Sequence, residues 1–201
     1  MVGMVITFGC ASLFGIYLIA VSGWPILIIG LACILAALAY SGGPYPLGSH
    51  GYGELLVFIF FGPVPVCGTY YAQSLDLTWY VVLTSVPVGL LITAILVVNN
   101  VRDIETDRIA GKKSLAVMLG EMGTRIEYLL LMSVSYIFPI AFWLTGLSSA
   151  WVLLPLLSMP MSFYMIFFVW GKRGEILNKA LAGTAQVSLI FSVLFAIGLV
   201  L

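Results

Sequence analysis

Residues 77–98 read LTWYVVLTSVPVGLLITAILVV, an apolar run that carries no formal charge. An α-helix needs about 20 such residues to cross the hydrocarbon core of a membrane. The 201-residue chain has six more uncharged runs of comparable length, at 2–21, 24–40, 55–72, 128–147, 150–170 and 180–201. The sequence therefore predicts an all-α, polytopic membrane helical bundle with seven transmembrane helices. Pro63 and Pro65 predict a kink in the run 55–72.

The composition supports this class and excludes others. Apolar residues make up 62% of the chain and charged residues 8%, and the mean hydropathy is +1.17. These values exclude an ordinary soluble enzyme. The eight Lys and Arg residues balance eight Asp and Glu residues, so a nucleic-acid-binding protein, which needs excess basic charge, is excluded as well. The single histidine, His50, rules out an HExxH zinc site.

The basic residues are confined to two regions that an even number of predicted helices separates. The first region holds five cations and the second holds three: Arg102, Arg108, Lys112, Lys113 and Arg125, then Lys172, Arg173 and Lys179. Cytoplasmic loops of membrane proteins carry excess Lys and Arg. We therefore expect both regions, and the loop 41–54, on the cytoplasmic side of a bacterial inner membrane.

The segment 99–127 is the most charged of the predicted loops, and it contains a candidate metal site. Asp103 and Asp107 are spaced i, i+4, so on a helix their Cβ atoms lie about 5–6 Å apart and like charges there repel. A divalent cation between them reverses the sign of that interaction, and Mg²⁺ takes one or two carboxylates together with waters and substrate phosphates. Asn99 and Asn100 precede this pair by one turn and offer amide oxygens.

Cations near the two aspartates could bind a diphosphate group. The candidates are Arg102, Arg108, Lys112 and Lys113. The spacing leaves a second interpretation open, in which these residues belong to an ordinary charged loop. Glu105 and Arg108 would then form an i, i+3 ion pair and the lysines would serve as orientation signals.

The loop 41–54, SGGPYPLGSHGYGE, has the Gly and Pro content of a fixed irregular turn. Non-helical backbone is tolerated near a membrane where it lines a cavity, so His50 or Glu54 could face a substrate. The alternative is a tight connection between two helices.

Two long motifs resemble one known family. The stretch NNVRDIETDRIAGKKSLAVMLG (99–120) closely resembles the second aspartate-rich motif of the UbiA superfamily of intramembrane prenyltransferases. The stretch YSGGPYPLGSHGYGELLVFIFFGPVPVCGTYY (40–71) looks like the corresponding loop and helix of the 1,4-dihydroxy-2-naphthoate prenyltransferase branch. The motifs occur in the family's order, with matching helix spacing.

The resemblance implies Mg²⁺-dependent transfer of a polyprenyl group from polyprenyl diphosphate to 1,4-dihydroxy-2-naphthoate, a step of menaquinone biosynthesis. It implies that Asp103 and Asp107 are the catalytic residues and hold the metal together with Asn100. The diphosphate would be bound by Asn100, Arg102, Arg108 and Lys112. The expected partners are the polyprenyl diphosphate, the aromatic acceptor and membrane lipid, without nucleic acid.

The family has nine membrane helices and two aspartate motifs, and the resemblance covers helices three to nine. We therefore expect residues 1–201 to form a single UbiA-like domain that lacks the first two helices and the first motif, NxxxDxxxD, and to turn over poorly alone. Three alternatives stay open: another aromatic acceptor, a non-catalytic truncated fragment, and a transporter. The transporter is disfavoured because the seven apolar runs carry no charged residue.

Overall fold

A computed structural model describes residues 2–201, and within that range the regular structure is entirely helical. Short 3₁₀ helices occupy Leu47–Ser49, Ala150–Ser158 and Gly174–Ile176. The α-helices are α1 (Val2–Ser22), α2 (Trp24–Ser41), α3 (Gly53–Phe61), α4 (Pro63–Ser74), α5 (Trp79–Ile109), α6 (Leu115–Ser135), α7 (Ile137–Leu144), α8 (Met159–Gly171) and α9 (Leu177–Val200). The predicted all-α fold class is confirmed.

Several of these helices follow one another end to end, so the described chain forms seven helical segments, as the apolar runs predicted. We call each of these segments a rod. Six rods are long and apolar enough to cross a membrane within the described residues: Trp24–Ser41, Gly53–Ser74, Trp79–Ile109, Leu115–Leu144, Ala150–Gly171 and Gly174–Val200. In the first rod, Gly9–Ser22 forms a shorter apolar helix.

The core of the bundle forms around α5. Leu91, Ala94, Val97 and Val98 of this helix are fully buried, and they belong to one cluster with residues of α6 and α9 such as Tyr128 and Phe191. In contrast, α2 has no buried residue. α5, which carries the start of the charged segment 99–127, therefore packs against other helices on several sides.

The rod formed by α3 and α4 approaches α5 closely at a glycine pair. A Cβ atom at Gly62 would lie only 2.5 Å from the Cα atom of Gly89. Small residues allow such backbone approach between membrane helices. Gly62 also separates α3 from α4, which places the predicted kink one residue before Pro63.

The segment 99–127 is not a loop, contrary to our expectation from its charge. α5 continues to Ile109, and α6 begins at Leu115 after Ser114, whose side chain caps it by accepting a hydrogen bond from the Val117 N–H. Where a helix extends out of the hydrocarbon core into water, its residues need not be apolar. Oppositely charged side chains three or four positions apart stabilise such a stretch. The change from apolar to charged sequence at Asn99 therefore marks a change of environment and not the end of the helix.

The three regions that follow α2, α5 and α8 meet at one end of the bundle, which we call the polar end. The Lys113 N–H donates to the Ser49 carbonyl at 2.8 Å, and Arg125 Nη2 donates to the Lys172 carbonyl at 2.7 Å. At the opposite end, the Tyr80 and Ser148 hydroxyls are hydrogen-bonded at 2.6 Å. The prediction that the two basic regions share one side is thus confirmed, while the assignment of that side to the cytoplasm stays a prediction.

The glycine contact generates a stability prediction. Gly62→Val should lower the free energy of unfolding by about 1–3 kcal/mol, because overpacking forces backbone shifts. Gly30→Val is the matched control, since a Cβ atom at Gly30 meets nothing within 4 Å. Thermal unfolding of the purified variants in detergent, followed by circular dichroism, measures the difference. Equal unfolding midpoints for the two variants would contradict the close helix contact.

Candidate functional site

Three predicted site residues share one face of α5 at the polar end. Asn100, Asp103 and Asp107 are spaced i, i+3 and i+7, which places them within an arc of roughly 60° around a helix of 3.6 residues per turn. The continuation of α5 to Ile109 keeps all three on one rigid element. Their relative positions are therefore set by helix geometry.

Asp103 is held by the neighbouring Arg102 through two parallel hydrogen bonds. The guanidinium Nε donates to Asp103 Oδ1 at 2.7 Å, and Nη2 donates to Oδ2 at 2.6 Å. This is the bidentate geometry in which an arginine recognises a carboxylate or a phosphate group. The arrangement offsets the negative charge of Asp103 and keeps the Arg102 guanidinium beside it.

Arg102 also connects α5 to α9. Its Nη1 donates to Asn178 Oδ1 at 2.5 Å, and its Nη2 donates to Asn99 Oδ1 at 2.8 Å. The guanidinium is thus fixed by acceptors from three residues, two on its own helix and one on α9. Asn178 was not predicted, because its contact depends on how α9 packs against α5.

Asp107 is paired with Lys112 from the short connection before α6. Lys112 Nζ lies 2.6 Å from Asp107 Oδ1, and the Lys112 N–H donates to the Asp107 carbonyl at 3.0 Å. The Asp107 side chain is only 14% exposed. The chain therefore turns back on itself so that a second cation lies beside the second aspartate.

Arg108 forms a different contact from the one implied for diphosphate binding. Its Nη1 lies 2.9 Å from Glu105 Oε1, with the two side chains 53% and 76% exposed. This is the ordinary surface ion pair that the second interpretation of the charge pattern predicted. In the described structure, Arg108 is thus paired with Glu105 and not with either aspartate.

Asn100 contacts Glu54, the second residue of α3. Its Nδ2 donates to Glu54 Oε1 at 2.7 Å, and Glu54 is 6% exposed. The sequence offered Glu54 and His50 as residues that could face a substrate. His50 instead stacks on Tyr45, with ring centroids 3.7 Å apart, and its Nδ1 lies 2.8 Å from the Pro46 carbonyl oxygen. It therefore stabilises its own turn.

Glu127, near the middle of α6, was not predicted as a site residue. Among the described residues its Oε2 atom is buried without a hydrogen-bond partner. The nearby carboxylate of Glu54 disfavours a second negative charge on Glu127. Burying a charged oxygen without a partner is costly. The only signal in the sequence was a carboxylate directly before the apolar run 128–147.

The donor set fits Mg²⁺ better than a metal held by a full protein cage. In the part of the chain that the structure describes, no three His, Cys, Asp or Glu side chains come together. Two carboxylates and one amide oxygen on one helix face match the few protein ligands that Mg²⁺ uses alongside waters and substrate phosphates. The adjacent Arg102 and Lys112 suit an anionic ligand on the same face.

Comparison with known proteins assigns the chain to a family. The UbiA prenyltransferase family model matches residues 2–190 of the chain. The chain belongs to the UbiA prenyltransferase family. This membership, together with six apolar helices of spanning length in the described range, identifies an integral membrane protein. It also confirms the family resemblance on which the expected site residues rest.

Curated members of the UbiA family are similar over most of this chain. The 1,4-dihydroxy-2-naphthoate octaprenyltransferase of Bacillus subtilis is 33% identical over 97% of this chain and 63% of its own length. The proteins of the same name from Haemophilus influenzae and Mycobacterium tuberculosis are each 36% identical, over 86% and 92% of this chain and 56% and 63% of their own lengths. The chain thus spans less than two thirds of each of these relatives.

The contacts of Arg102 generate a prediction about local stability. Arg102→Lys should loosen the start of α9, because a lysine cannot reach Asn99, Asp103 and Asn178 together. Amide hydrogen exchange in residues 177–181 should therefore become faster, as measured by mass spectrometry in detergent. Arg108→Lys is the control, since Arg108 contacts only its own helix in the described structure. Equal exchange in both variants would show that Arg102 does not hold α9.

Proposed function

We propose that the chain takes part in Mg²⁺-dependent transfer of a polyprenyl group from polyprenyl diphosphate to 1,4-dihydroxy-2-naphthoate. The observation that carries the proposal is the face of α5 on which Asp103 and Asp107 lie, each paired with a cation, at the end of a membrane bundle. The names of the similar proteins support the naphthoate acceptor and the polyprenyl donor.

The residues around the aspartates have complementary roles in binding the diphosphate. Asp103, Asp107 and the Asn100 amide oxygen would hold Mg²⁺, which supplies positive charge to the diphosphate as it leaves. The Arg102 fork suits two phosphate oxygens at once, and Lys112 adds a mobile point charge. Both cations already lie beside an aspartate, so a short side-chain movement brings them to the anion. Such preorganised charge stabilises a departing oxyanion.

The hydrocarbon tail of the donor needs an apolar path beside this site. A groove of about 440 Å³ between α2 and α3 is lined by Cys33, Ala36, Ala37, Tyr40, Leu56, Val57, Phe60 and Phe61. Tyr40 is the last of the lining residues on α2, one residue before that helix ends, and its hydroxyl is near enough to Glu54 and Lys112 to be affected by their charges. The groove therefore reaches toward the polar end and would place a tail in a region without water, where an allylic cation survives.

The polar end would face the cytoplasm. Its basic residues follow the bias that orients bacterial membrane proteins, which favours the cytoplasmic side of the inner membrane. A diphosphate donor and an aromatic carboxylate would then reach the site from the cytoplasm, while the tail stays in the lipid.

An aspartate substitution tests the proposed function. In the complete gene product, Asp103→Asn should lower prenyl transfer by about 100-fold or more, because transition-state charge loses its main support. The measurement is product formation in membranes supplied with Mg²⁺, a polyprenyl diphosphate and dihydroxynaphthoate.

Glu105→Gln is the control for this test, because it removes a carboxylate from the same helix on an exposed face. It should leave transfer close to that of the unsubstituted protein. Normal transfer by the Asp103→Asn variant, with protein levels in the membrane matched, would refute the metal assignment.

A further inference from the structure

Glu54 is a buried carboxylate that the proposed transfer does not use. It lies in the first turn of α3, where the positive end of the helix dipole favours an acidic side chain. It is 46 positions away from Asn100 in the chain, and the hydrogen bond between them connects α3 to α5. The α3–α4 rod and α5 also approach each other closely at Gly62 and Gly89.

The chemistry of this hydrogen bond fixes which way the Asn100 amide points. A carboxylate oxygen only accepts hydrogen bonds, so the NH₂ group of the amide has to face Glu54. The amide oxygen Oδ1 is on the opposite side of the planar group and therefore points away from Glu54. Without such a partner, an asparagine can present either its nitrogen or its oxygen to a ligand.

We propose that Glu54 is a positioning residue, which orients Asn100 so that its Oδ1 atom serves the Asp103–Asp107 face as an oxygen ligand. The inference rests on the proposed function, because it assumes that this face binds a divalent cation. Glu54 itself does not bind the cation and acts through Asn100.

The different roles proposed for Asn100 and Glu54 follow from where their side chains lie. Asn100 precedes Asp103 by about one turn on the same face of α5, whereas Glu54 reaches Asn100 from another helix. Residues that hold a metal ligand in its orientation typically change metal affinity by about 10–100-fold when they are replaced. Glu54 has this relation to Asn100, because it accepts the hydrogen bond that orients the Asn100 amide.

Metal binding tests the inference without depending on turnover. Mn²⁺ is titrated into the 201-residue chain in lipid nanodiscs containing inorganic diphosphate, and free Mn²⁺ is followed by electron paramagnetic resonance. Glu54→Gln should weaken Mn²⁺ binding by about 10-fold, because glutamine can either donate or accept and no longer fixes the amide. Asn100→Ala should weaken it by a similar factor. Glu175→Gln is the control, since Glu175 is exposed and lies outside the site.

The double variant separates positioning from general structural support. If Glu54 acts through Asn100, then Glu54→Gln combined with Asn100→Ala binds Mn²⁺ as weakly as Asn100→Ala alone. Additive losses in the double variant would overturn the inference, as would unchanged affinity in Glu54→Gln. Unchanged affinity in Asn100→Ala would overturn it even if the Glu54 variant failed to fold. If the unsubstituted chain does not bind Mn²⁺, the proposed function itself fails.

Discussion

Inside a membrane every backbone N–H and C=O group must find its partner within the protein, because no water is available to bind it. α5 satisfies this requirement by remaining helical from the opposite end of the bundle to Ile109, eleven residues beyond the end of the uncharged run 77–98. The geometry of the site depends on that continuity. Asp103 and Asp107 keep their spacing because they extend a helix whose buried part is fixed by the core, and Arg102 and Asn100 then contact α9 and α3.

At the polar end, charged side chains have partners both nearby in sequence and on another helix. Each aspartate of α5 has its own cation, and the buried Glu54 accepts a hydrogen bond from Asn100. The negative charge of each aspartate is therefore offset by a neighbouring cation. Under the proposed function, a diphosphate with its metal ion would take the place of these ion pairs as the partner of the same cations and carboxylates.

The sequence predicted the all-α bundle and the shared face of Asp103 and Asp107, because apolar runs and helical spacing are local properties. It did not predict that residues 99–109 and 115–127 are helical, since charge ends a hydrophobic run without ending a helix. It also left open which loop residue reaches the site. Glu54 and not His50 contacts Asn100, and that choice depends on how α3 packs on α5. The buried oxygen of Glu127 likewise depends on tertiary packing, which local sequence patterns do not reveal.

Equilibrium binding of radiolabelled inorganic diphosphate to the chain in nanodiscs, with and without Mg²⁺, tests the central claim that this face of α5 is a metal–diphosphate site. The account predicts weak but saturable binding that requires Mg²⁺ and that Asp107→Asn abolishes. Binding of equal strength without Mg²⁺, or binding that Asp107→Asn leaves unchanged, would contradict it.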